Sequence, residues 1–150
     1  MRPGRNPAPR GLMVLALMLV DCGSRVQFTR GARIPLNVYT VTVTHTDSVD
    51  IGKSAKNLVV HMRCEGVDSK DGFAKFLMNF FGRMIVVDGD GNEYNAQLKP
   101  LSAYRGGGAA PNEWVAIAKV PVKSRDFTFV IENASRLSGQ PESAVVPLGP

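Results

Sequence analysis

Few of the side chains from which sites are usually built occur in this chain: 150 residues hold two cysteines, two histidines and one tryptophan. The two histidines, His45 and His61, fall on separate β-type runs with no carboxylate or thiolate at ligand spacing, which falls short of a metal centre. Nucleophile motifs are missing as well. No serine sits in a Gly-x-Ser-x-Gly elbow, and Cys64, three residues from His61, lies on the opposite face of the same strand. The glycine run Gly106-Gly107-Gly108 has no Lys-Ser or Lys-Thr after it and opens no helix, so it is not a phosphate cradle but a mobile loop within residues 101–112. These gaps argue against an enzyme, and no cofactor is expected.

Long apolar runs are also scarce. The longest, Leu12 to Val20, has nine residues, too few to span a bilayer stably. It follows Arg2, Arg5 and Arg10 with no acid among them and precedes Asp21-Cys22-Gly23-Ser24, the layout of a secretory signal. Cys22 resembles the lipid-attachment cysteine of bacterial lipoproteins, although Asp21 stands where a small residue usually precedes the modified Cys. Residues 1–24 are therefore read as an export segment, with an ordinary secreted protein, or one held by an uncut signal, as the alternatives. If Cys22 stays unmodified, a Cys22–Cys64 bridge is open to it in an oxidising compartment; Cys64 otherwise reads as a buried, inert thiol. The formal charge of +5 owes three arginines to the export segment, and the remaining charges are scattered. There is no basic stripe interleaved with aromatics for nucleic acid.

What the chain does have is β-type sequence. Met84 to Val87 is apolar and β-branched, and Tyr94, Ala96 and Leu98 alternate with polar residues. Between them Asp88-Gly89-Asp90-Gly91-Asn92 supplies the turn chemistry of a hairpin. Asp88, Asp90 and Asn92 imitate the start of a calcium loop, but Glu93 replaces the sharp-turn glycine and Lys99 the bidentate Glu. They make at most a weak cation site.

Other alternating runs start at Leu36 and Leu58. The first sets Tyr39, Val41 and Val43 against a threonine face, with His45 in line with the valines; the second sets Leu58, Val60, Met62 and Cys64 together. Between these runs, residues 47–57 read as a loop. Trp114, Ala116 and Ala118 share one face of a later strand that Pro121 closes, and Phe127, Phe129 and Ile131 point inward on the last clear one. A short first strand is expected near Val26. Only residues 72–81 change period: Phe73, Phe76, Leu77, Phe80 and Phe81 fall at helical steps that Met84 continues. This stripe is either a lid on the sandwich, a face that docks a partner, or a membrane-surface element. From Asn133 the chain turns rich in Ser, Gly and Pro. The expected layout is a β-sandwich domain over residues 25–135 and a flexible tail over 136–150.

The order of an apolar strand, Val87-Asp88-Gly89-Asp90-Gly91-Asn92-Glu93-Tyr94, a long loop, Val120-Pro121-Val122 and Phe127-Thr128-Phe129-Val130-Ile131 resembles the immunoglobulin-like domain-of-unknown-function family of bacterial exported lipoproteins. The resemblance covers roughly residues 38–133 and leaves out the Phe-rich helix. It implies an all-β, immunoglobulin-like antiparallel β-sandwich with one short helical insertion, and it carries no catalytic residues. The expected function is an exported, membrane-anchored, non-catalytic binding or accessory module of the bacterial cell envelope, lipid-anchored through Cys22. Phe73, Phe76, Phe80, Tyr104 and Arg105 are its expected contacts with a protein partner. The alternative is a secreted structural or assembly subunit that docks through the stripe from Phe73 to Met84.

Overall fold

The computed structural model describes residues 25–66 and 82–149. Nine strands follow one another: β1 (Arg25–Gln27), β2 (Ile34–Leu36), β3 (Tyr39–Asp50), β4 (Ala55–Glu65), β5 (Met84–Val87), β6 (Glu93–Pro100), β7 (Glu113–Pro121), β8 (Phe127–Glu132) and β9 (Ser143–Gly149). The described helix, α1 (Leu101–Arg105), lies between β6 and β7. The strands run in the order β1-β9-β8-β5-β6-β7-β4-β3-β2.

That ladder folds over on itself at β6. Its first residues, Glu93, Tyr94 and Asn95, pair with β5, and the rest, from Ala96 to Pro100, pair with β7. One layer is thus β1-β9-β8-β5 and the other β7-β4-β3-β2, with β6 passing from the first to the second. Within it the neighbours β3-β4-β7-β6 and β5-β8-β9 reproduce the four-strand and three-strand sheets of the immunoglobulin arrangement.

The facing sides of the two layers form the core. Val41, Val43, Val60, Met62, Cys64 and Trp114 come from one layer, and Val86, Phe129, Ile131, Ala144 and Val146 from the other, all nearly or wholly removed from water. Burial of each Val, Leu or Ile contributes roughly 1.5–3 kcal/mol relative to exposure. The alternation expected for β4, β7 and β8 puts the same residues inward. Met84, the last member of the aromatic stripe, faces this core from β5 and so is no part of a docking face.

Several expectations need correction. The sandwich is not wholly antiparallel, because β1 runs parallel to β9 along its edge. The expected tail, residues 136–150, is strand from Ser143 to Gly149: β9 sits between β8 and β1 and buries Ala144, Val146 and Leu148. Pro147 is tolerated because Val145, two residues earlier, faces β1, whose last bond there joins the Phe28 amide to the Val145 carbonyl at 2.8 Å; beyond it no strand continues on that side among the described residues. Residues 47–57 are mostly strand, since β3 stays paired with β4 as far as Asp50 and Lys56, and β4 keeps β7 on its other side as far as Ala55. The segment 101–112 is not a mobile loop but begins as α1, stopped by Gly106 in the left-handed region at φ 79°. Leu101 packs with Val59 and Val115 in a second apolar cluster on the outer face of the β7-β4 layer. The expected export segment, with Cys22, and the expected helix, with Phe73, Phe76 and Phe80, lie outside the described residues.

Candidate functional site

Strand parity fails at one point, and the site arises there. Val43 pairs with Met62, yet the next pair is His45 with His61, so Thr44 is an extra residue in β3. The bulge turns His45 out of line with the valines and onto the outer face, directly across from His61. Asp47, two residues further along, falls on the same face.

The imidazole rings of His45 and His61 stack with centroids 4.0 Å apart and planes 13° from parallel. The His61 Nε2–H donates to the Asp47 Oδ2 at 2.8 Å, and the His45 Nε2 lies 4.0 Å from that same oxygen. His61 is 4% exposed, whereas the His45 and Asp47 side chains are more than half open to water. Burial, and then His45, hold the His61 pKa below its ordinary value against the opposing hydrogen bond and charge of Asp47.

Thr44 fixes the remaining ring nitrogen. Its hydroxyl donates to the His61 carbonyl at 3.2 Å, which uses its single proton. Toward the His45 Nδ1, 3.1 Å away, it is therefore an acceptor, and His45 carries its proton on Nδ1. The Nε2 of His45 is left without a proton, 4.0 Å from the Asp47 Oδ2.

Beside this cluster lies a cleft of about 220 Å³, lined among others by His45, His61, Arg63, Arg105 and Glu113. The end of α1 forms its wall. Of the two partner-contact residues expected there, Arg105 lines the cleft and Tyr104, on the same helix, is 40% exposed.

Asp88 stands elsewhere and does something different. Its carboxylate accepts from the amides of Asp90 and Asn92, the Asn92 side chain, and the hydroxyls of Tyr94 and Ser124, at 2.9–3.2 Å. A cation at Asp88 would have to displace these donors, while Asp90 points into solvent. The pair is hairpin architecture. Cys64 is a free thiol deep in the core, its pKa raised by burial to about 12, and is inert as a nucleophile.

Sequence reasoning missed the grouping of His45, Asp47 and His61. The signal within reach was His45-x-Asp47, a spacing that puts both on one face of a strand; the bulge that brings His61 to them has no such mark.

No family model and no curated protein matches the chain. Among solved structures it is similar to an uncharacterized β-sandwich protein from Clostridium difficile 630, with a TM-score of 0.50 and 8% identity over 84% of this chain and 95% of that one. At that identity the likeness speaks for the sandwich fold alone.

Proposed function

We propose that the chain is an exported, non-catalytic binding or accessory module of the bacterial cell envelope, lipid-anchored through Cys22, that engages a protein partner with the outer face of its β7-β4-β3 layer. The observation that carries this reading is the cleft beside α1, lined by Arg63, Arg105 and Glu113, with Tyr104 exposed on the same helix. The sandwich supplies a platform, and the cleft supplies charged side chains and the aromatic edge of Trp114. Binding modules are commonly built in this way, with recognition residues on short elements held by a sheet.

Fractionation of an expressing bacterial host tests the tether. The expected result is recovery of the wild-type chain with membranes and release of Cys22→Ala into the soluble exported fraction. A wild-type chain found soluble, with a distribution that Cys22→Ala leaves unchanged, would overturn it.

A further inference from the structure

We infer that His45, Asp47 and His61 bind a zinc-class divalent ion on the outer face of the sheet, with the cleft beside α1 as its open side. This goes beyond the reading above and does not depend on the anchor.

The three ligand atoms already lie within 4.8 Å of one another. In a tetrahedral zinc site, bonds of about 2.0–2.1 Å place ligand atoms roughly 3.3 Å apart. The two distances to the Asp47 Oδ2, 2.8 Å and 4.0 Å, bracket that value. Two near-parallel ring planes cannot both contain one metal, so the exposed His45 ring must rotate out of its stack on His61 while the exposed Asp47 carboxylate backs away from the His61 Nε2. His61, buried and held by its strand, is the fixed point; its Nε2–H, which donates to Asp47 in the empty site, is released as the metal binds, the ring keeping a proton on Nδ1.

The tautomer argues the same way. With its proton on Nδ1, His45 leaves its Nε2 free of hydrogen 4.0 Å from the Asp47 Oδ2, a nitrogen able to ligate once the ring turns out of the stack. The Nδ1–H to Thr44 bond is the outer support that metal-ligating imidazoles normally have. Two nitrogen donors and one carboxylate suit zinc and its neighbours, whereas calcium and magnesium take oxygen. Three protein ligands leave one position open toward the cleft. Arg105 there weighs on His61 as a positive charge, so an anionic fourth ligand would find both the metal and the guanidinium to pair with.

The test is calorimetric titration of the chelator-stripped 150-residue chain with zinc chloride, beside His45→Ala, Asp47→Asn and Thr44→Val. Expected is one zinc per chain, with affinity down at least about 100-fold in His45→Ala and Asp47→Asn and roughly 10- to 100-fold in Thr44→Val. Magnesium and calcium should give no comparable heat. If the wild type takes up no zinc, or if His45→Ala and Asp47→Asn bind it as tightly as the wild type, the site does not exist. Should a variant melt early, the cobalt-substituted wild-type chain decides: intense visible bands of a tetrahedral site with nitrogen ligands support the assignment, and a six-coordinate, oxygen-ligand spectrum overturns it.

Discussion

Asp88 ties its own turn to two other parts of the chain. Its donors come from its own turn, from Tyr94 on β6 and from Ser124 in the β7–β8 connection, so one carboxylate ties the hairpin to a neighbouring turn. Burial alone would raise its pKa. The hydrogen bonds from Asn92, Tyr94 and Ser124 outweigh that and hold it at about 2, against an ordinary 3.8. A folded-state pKa below the unfolded one gives stability that is complete above 3.8 and lost as the pH falls through about 2. Thermal melts taken across that range should show the wild type losing stability as Asp88 protonates. Asp88→Asn should melt lower at neutral pH and show a flatter profile between those two values, because the group that titrates is gone. Equal slopes for the two proteins would remove Asp88 from the account. The turn itself was legible, since Asp-Gly and Gly-Asn act locally on a few dihedrals. The histidine pair was not, because one inserted residue at Thr44 reverses parity for everything after it.

At the scale of elements, the outer face of β4 and β7 explains α1. Val59, Val115 and Ile117 point away from the main core, and apolar residues in adjacent strands on that side need a cover. Alternation alone already set Val115 and Ile117 opposite Trp114, so the need was visible in the sequence, as were Pro100 and Gly106 flanking the helix. What hid α1 is its length. Five residues hold too little periodicity to stand out from a glycine-rich segment. Leu101 supplies the cover, and Leu101→Ala should cost about 2 kcal/mol, the low end for a buried leucine, since a one-turn helix can settle into the space. Urea denaturation with an unchanged slope would record that loss, and the same variant should be cut sooner by protease after Arg105. A variant as stable as the wild type would mean that the cluster is not a working part of the fold.

Across the whole molecule, stability depends on how the chain's far end returns to its beginning. β9 lies between β8 and β1, and Ala144, Val146 and Leu148 fill the middle of the layer they join. The connection before it is pinned from the opposite layer: the Gln140 side-chain oxygen accepts from the Asn37 amide at 2.7 Å, and its nitrogen donates to the Asn37 carbonyl, across the turn between β2 and β3. The alternation of Ala144, Val146 and Leu148 was present in the sequence but short, broken by Pro147 and preceded by loop-forming residues. Such a strand is identified by the edge that it fills rather than by its own pattern. A chain ending at Glu142 separates the two accounts. If those last residues were a tail, the shortened chain would keep the wild-type melting transition. With β9 removed, β8 exposes its unpaired edge together with the apolar faces of Phe129 and Ile131, and such edges pair with other chains. The expected outcome is loss of the cooperative melt and aggregation on concentration, read by circular dichroism and light scattering. A milder variant, Gln140→Ala, should keep the fold while exchange of the Asn37 amide with solvent quickens, which assigns the clamp and the strand separate shares of the same junction.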